Sequence, residues 1–496
     1  MSKFLNYKIN IEAIISIFSF IFLIWLIFFF LINENYNFSF NLKLSLSSVF
    51  ILFSLVNFIN LKIKNQLITL LNINFVIFYL SKLFFLIIND TLLYSYLNDY
   101  KNLNVYIFEL SIQYFFISLA VFVIFYKFYF HEIIDKKLSF DKEKLLLYLK
   151  ISFCVCFFLI FQNIMFELLE KYFYFQGFLE SSFYHIFRKL TDIDHWVYIC
   201  CVIFFLISKD PRGKLLFLII LLIYVVNGMI LIGSRSTPLQ IVLNFIFIFT
   251  IFNQIYKVKV KYLLFLGIFS SIVPIYFSIA GAARKYFFIE KSALNCQGMV
   301  HCFKDNDLSN FMEYWVAQMP KDGSNIKIFK TYMNYLTGVL DRISYLDFYF
   351  INMSHKDLIT KNINLFYYFK STVDKFSPGF DFYGVPLIKN LLYSIIYGPS
   401  PFISNSLQFT LFAENLIIFE YYYIIVVALS LLIFRFFLNL IKKFNSNSIK
   451  ILFIIFLVQV YWLFLNGYGY DYLLVKSVYL TIFIIPLSYL IRIHEK

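Results

Sequence analysis

Across 496 residues the chain is 61% hydrophobic and only 15% charged, with a mean hydropathy of +0.76. Apolar runs of about 20 residues recur from end to end, the length a helix needs to cross hydrocarbon, and they are apolar all round, which excludes a soluble helical protein with polar faces. The net charge of +14 falls mainly in the connections between runs, so it reads as a topology signal and not as a nucleic-acid-binding surface.

In chain order the runs predict an all-α, polytopic membrane protein with twelve spans. They lie near 11–32, 44–61, 67–88, 105–126, 145–169, 191–208, 215–232, 238–256, 262–281, 415–440, 451–466 and 472–491. The first run has no small-residue cleavage site after it and reads as a retained span. The span at 191–208 keeps only a short apolar remainder, because Asp192, Asp194 and His195 occupy its first turn, and its loss would invert everything downstream. Asp192-Ile193-Asp194 reads either as an acidic helix N-terminus favoured by the macrodipole or as a metal-binding pair.

Lys and Arg in short loops stay on the cytoplasmic side. With the N-terminus inside, the inner segments hold 21 of them, and the short outer loops hold six: Lys43, Lys101, Lys171, Arg188, Lys189 and Arg235. Both termini are therefore expected in the cytoplasm. The chain divides into spans one to nine over 1–281, one large outer loop with amphipathic helices over 282–414, and spans ten to twelve over 415–496.

Within the loop, Ile326 to Asn352 reads as amphipathic helix lying on the membrane, and Pro378-Gly379 and Tyr397-Gly398-Pro399-Ser400-Pro401 mark sharp turns. Cys296 and Cys302 are spaced for a disulfide in an oxidising compartment, with two free thiols as the alternative. Cys154, Cys156, Cys200 and Cys201 lie within spans as small apolar residues.

Arg235 stands in Gly233-Ser234-Arg235-Ser236-Thr237-Pro238 between two spans, where a guanidinium costs at least a few kcal/mol unless it snorkels, faces water or meets an anion. Glycine and two serines around it suit an anion nest. Arg284, beside Lys285 in Ala283-Arg284-Lys285-Tyr286, and Arg342, in Asp341-Arg342-Ile343-Ser344-Tyr345, are expected to approach the same membrane face. Guanidinium forks match phosphate oxygens bidentately and stay charged at any accessible pH. The structural alternative is an interfacial anchor at each helix end and, for Arg342, a local pair with Asp341 or Asp347.

A span ending in Gly-Ser-Arg-Ser directly before another span, a later arginine-bearing outer segment and one large outer loop resemble the Wzy-type O-antigen and capsule polysaccharide polymerases. The resemblance covers the chain as architecture and only a few residues as motif, and it is shared with O-antigen ligases. It implies a GT-C-like helical glycosyltransferase in the bacterial inner membrane, acting on its periplasmic face. Such an enzyme takes a glycan from a polyprenyl-pyrophosphate carrier and joins it to a second carrier-linked repeat unit. No metal and no cofactor are implied. The implied partners are the polyprenyl-pyrophosphate-linked donor and acceptor, membrane lipid and, as a candidate, a chain-length regulator protein, with no nucleic acid.

On that reading Arg235, Arg284 and Arg342 stabilise charge developing on the leaving pyrophosphate. Ser234, Ser236, Lys285 and Tyr345 would contact substrate. Asp341 and His301 are candidates for the base that takes the acceptor proton, with His355, Asp347 and Asp381 as further outer-loop candidates. Tyr314-Trp315 and Tyr367-Tyr368 could stack on sugars, but such clusters arise anyway at 22% aromatic content. A lipid-linked oligosaccharide flippase is the rival class, and it would line a central cavity with charges carried by its spans.

Overall fold

The computed structural model describes most of residues 11–133, 260–285, 307–398 and 409–444, with individual positions at 246, 250 and between 450 and 476. Helices α1 (Ile11–Ile32) and α2 (Phe40–Ile63) come first; α3 (Gln66–Phe75) then runs through a π turn at Val76–Leu80 into α4 (Ser81–Ile88), followed by α5 (Leu103–Ile124). Further on come α6 (Val260–Lys285), α7 (Asp307–Ala317), α8 (Ile328–Ile343), α9 (Leu346–Ser354), α10 (Lys356–Asn362), α11 (Leu365–Phe376) and α12 (Ile388–Tyr397). Finally α13 (Leu411–Glu414) passes through a π turn at Asn415–Phe419 and a 3-10 turn at Glu420–Tyr422 into α14 (Tyr423–Lys442). The only strands among the described residues are Lys321–Asp322 and Asn325–Ile326, an antiparallel pair between α7 and α8.

Phe40–Ile63, Gln66–Phe84, Leu103–Ile124 and Leu411–Lys442 are long and apolar enough to cross a membrane, and Ala13–Phe28 is a shorter apolar helix. The protein is therefore an α-helical membrane protein. The expected spans at 145–169, 191–208, 215–232 and 238–256 lie outside the described residues apart from positions 246 and 250, as does most of 472–491. The chain forms two compact units, residues 10–140 with 343–496 and residues 1–9 with 141–342, so the division falls inside the predicted 282–414 loop.

In the unit holding α1 to α5, polar pairs set the helix directions. Ser16 donates to the Asn57 carbonyl and Ser54 to the Ser19 carbonyl, both at 3.2 Å, so α1 and α2 are antiparallel. Asn60 with Thr69 (3.0 Å) and Asn72 with Asn57 (2.8 Å) fold α3 back on α2 through a two-residue turn. Asn65 caps α3 by accepting from the amides of Leu67 and Ile68, and its side-chain amide reaches the Phe125 carbonyl at 2.8 Å. Ser48 and Ser111 meet at 3.1 Å between α2 and α5, where small side chains let the backbones approach.

Asn415 donates to Gln113 (3.1 Å), Phe434 packs on Phe125 (5.9 Å) and Arg435 donates to the Ile124 carbonyl (2.5 Å). These contacts advance together along α5 and the stretch ending in α14, so both run the same way.

Both π turns interrupt spanning helices, and freed backbone groups inside a membrane protein need partners. At the first turn the Phe78 carbonyl accepts from the Tyr345 amide at 3.0 Å. That tertiary bond explains why the expected amphipathic stretch 326–352 is two helices, with Tyr345 at the N-terminus of α9. At the second turn the helical stretch begins at Leu411, capped by Thr410 whose hydroxyl accepts from the Ala413 amide at 3.2 Å. Glu414 is thus buried inside helix instead of ending the loop, as the sequence had suggested.

Residues 343–398 pack at one end of this bundle. Asp347 pairs with Lys82 near the end of the third span, Tyr349 donates to the Tyr106 carbonyl (3.0 Å) near the start of α5, and Tyr368 donates to Glu414. The predicted turn at Gly398 closes α12: its amide bonds the Ser394 carbonyl at 3.0 Å and its φ of 85° suits glycine.

Candidate functional site

Arg235, Ser234, Ser236, His301 and Asp381 lie outside the described residues, as do the Asp192–Asp194 pair, Cys296 and Cys302. The remaining arginines are placed by backbone. Arg284 and Lys285 are the last two residues of α6, and Asp341 and Arg342 fall in the last turn of α8. The Tyr332 hydroxyl donates to the Ser271 carbonyl at 3.3 Å. Seven residues on along α6, Ser278 accepts from the Trp315 indole at 3.1 Å, and that indole stacks on Tyr335. Trp315 of α7 thus bridges α6 and α8, and Arg284 and Arg342 each stand at the C-terminal end of one of these two helices. C-terminal helix ends favour cations through the macrodipole, which makes them natural seats for arginines.

Three other predicted residues have described side chains, and each is engaged within the unit that contains α9. Tyr345 packs on Phe78 with ring centroids 5.0 Å apart. Asp347 faces the Lys82 ammonium at 3.4 Å. His355 has Nδ1 2.9 Å from the Ile351 carbonyl and 3.0 Å from the Ser354 hydroxyl, a helix-end arrangement. For Asp347 and His355 these contacts give each side chain a structural duty in the fold.

What sequence reasoning missed is a buried polar layer where residues 343–398 meet the bundle. The Lys82 side chain is 1% exposed and that of Asp347 14%. Glu414 accepts from Tyr368 and, at 3.4 Å, from the Tyr470 amide, while the Tyr470 hydroxyl donates to Asn415 at 2.5 Å and Asn415 in turn to Gln113. The Gln113 side-chain amide nitrogen is buried with no hydrogen-bond partner among the described residues. Burial holds the Tyr349 phenol well above its ordinary pKa, with the Glu109 carboxylate adding to the rise. For Tyr367 burial again leads, helped by Asp374. These phenols stay neutral donors at physiological pH.

Chemically, this layer fastens a non-spanning segment to a membrane bundle with charge-assisted bonds. The buried Lys82 and Glu414 and the half-buried Glu109 are the kind of charges a transport pathway would carry. Here Lys82 and Glu414 are turned onto residues of the 343–398 segment, so they act as latches. Among the described residues no three His, Cys, Asp or Glu side chains gather as a metal site. Comparison with protein-family models, with characterised proteins and with solved structures returns no match.

Proposed function

We propose that the protein is a polysaccharide polymerase of the inner membrane, a metal-independent glycosyltransferase with both termini in the cytoplasm. It joins polyprenyl-pyrophosphate-linked oligosaccharide repeat units on the periplasmic face. The observation that carries the reading is the sequence Gly233-Ser234-Arg235-Ser236-Thr237 between two predicted spans, together with Arg284 and Arg342 at the C-terminal ends of α6 and α8. A glycosyl pyrophosphate gains negative charge on the leaving phosphate as the anomeric bond breaks. Planar guanidinium donors fixed at helix ends stabilise that charge more than the ground state. The acceptor hydroxyl attacks the anomeric carbon and loses its proton to a base, for which His301 and Asp341 are the candidates.

The segment 343–398, latched to the ends of three spanning stretches, supports this reading by supplying a rigid rim at one face of the membrane. A lipid-linked oligosaccharide flippase is the second reading, favoured by the half-buried Glu109 carboxylate on a spanning helix, and an O-antigen ligase is the third. Deletion in the native host separates them. Loss of a polymerase leaves single repeat units mature on the periplasmic side without long polymer. Loss of a flippase strands them on the cytoplasmic side, and loss of a ligase leaves full-length polymer on its carrier.

A further inference from the structure

Helix α11 is amphipathic in the opposite sense to a water-facing loop helix. Its buried side consists of Tyr368, Ser371, Thr372 and Asp374, all bearing hydroxyl or carboxyl groups, whereas Phe366 and Phe369 are 64% and 57% exposed. At the helical repeat, Leu365, Phe366, Phe369 and Val373 share an arc of about 100°. Asp374 accepts from the amides of Tyr383 (2.9 Å) and Val385 (3.2 Å), and the turn so held adds Phe382, 67% exposed, to the same patch. Lys370 stands at its edge, its ammonium 4.5 Å from the Phe366 ring and 5.6 Å from the Tyr383 ring.

Contiguous apolar surface of this kind marks an interface. Its place identifies the occupant. The inner side of α11 is fastened to the start of a spanning stretch, through the Tyr368 bond to Glu414 and the Tyr368 ring 5.6 Å from Phe419. After Phe419 come the exposed Glu420, then Tyr421, 91% exposed, and Tyr422, followed along α14 by the exposed Ile425, Leu429, Leu432 and Phe436. That stripe on a spanning helix faces hydrocarbon, and the α11 patch lies beside its start. Exposed tyrosines at the head of such a stripe belong to the headgroup level. Phe and Leu on one face with a lysine at the rim is the composition of an element lying in that boundary, its ammonium free to reach lipid phosphate.

We infer that α11 and the Phe382–Tyr383 turn form an interfacial anchor, seated in the headgroup region of the leaflet at this end of the bundle with Lys370 directed at phospholipid phosphate. Its occupant is lipid, and the inference stands independently of the polymerase reading.

The test uses full-length protein in nanodiscs of phosphatidylethanolamine and phosphatidylglycerol. The photoreactive benzoylphenylalanine replaces Phe366 or Phe369, with Ile425 as the lipid-facing reference and Lys361 as the water-facing one. These are exposed positions that accept an aromatic side chain, and size-exclusion profiles confirm folding. After irradiation, lipid adducts counted by intact-protein mass should reach within about twofold of the Ile425 yield at 366 and 369, and exceed Lys361 by about fivefold or more. In the same experiment Lys370→Glu should lower the share of phosphatidylglycerol in the adducts. Adduct yields at the Lys361 level, or crosslinked dimers in place of lipid adducts, would overturn the anchor, and an unchanged phosphatidylglycerol share would remove the phosphate contact.

Discussion

The contact between Lys82 and Asp347 joins a spanning helix to α9, and its removal can be worked through from geometry. At 3.4 Å and an effective dielectric of about 20, two unit charges attract by about 5 kcal/mol. Taking each ion out of water costs several kcal/mol, so the intact pair nets little over an apolar pair, but removing one partner is destabilising. Asp347→Asn removes the carboxylate that faces a fully buried ammonium and should cost about 3 kcal/mol. Lys82→Met leaves a carboxylate that still touches water and should cost less, about 2 kcal/mol. The double variant Lys82→Met/Asp347→Leu should return to within about 1 kcal/mol of the parent. The assay is denaturant unfolding in mild detergent, with limited proteolysis between 343 and 398 as a local readout. Single variants each costing under about 0.5 kcal/mol, with strictly additive effects, would refute the latch.

Other expectations follow from the same contacts. Tyr368→Phe should cost about 1–3 kcal/mol, and adding Glu414→Gln to it should cost less than Glu414→Gln alone; independent effects would show that the pair does not act as a unit. Lys64 ends α2 at a φ of 56°, so Lys64→Gly should raise unfolding stability by about 0.5–1 kcal/mol while Lys64→Ala gives no gain. Arg235→Lys and Arg284→Lys keep the charge but lose the fork, and at matched membrane levels each should reduce polymer formation by about one to two orders of magnitude. Near-normal polymer from Arg235→Lys would remove that residue from the clamp. Reporter fusions at Lys136, Lys259 and Lys443 should read cytoplasmic and those at Asn35, Asn310 and Gly467 periplasmic, and a cytoplasmic reading at Asn310 would break the topology.

The membrane class was legible because hydrocarbon imposes a length and an apolarity that no other environment demands, and α1, α2, α5 and α14 lie where the apolar runs lie. The π turns at Val76–Leu80 and Asn415–Phe419 were not, since an apolar run reads the same whether its backbone closes every fourth or every fifth residue. Lys82 stood out as a charge within a span, yet its partner is 265 positions away and nothing local announces it. The break at Tyr345 was hidden for a related reason, being set by the Phe78 carbonyl that the first π turn releases. Glu414 looked like the last loop residue because the apolar count starts after it, whereas Thr410 begins the helix earlier. Of the arginines, the position of Arg284 at a helix end was readable from the apolar run before it, whereas the sequence puts Arg342 inside one continuous helix over 326–352, and it stands at a helix end only because the chain breaks before Tyr345. The association of the helices that carry them depends on Trp315 bridging Ser278 and Tyr335, a contact no periodicity encodes.

The central claim is that this membrane protein transfers glycans between carrier lipids, and one measurement meets it directly. Purified full-length protein in detergent is given polyprenyl-pyrophosphate-linked repeat units, without nucleotide sugar or divalent ion, and the products are separated by size while released carrier pyrophosphate is counted. The account predicts a ladder of glycans growing one repeat at a time, with one carrier pyrophosphate released per bond formed. Intact substrate with no ladder, from protein that is folded and monodisperse, would contradict it.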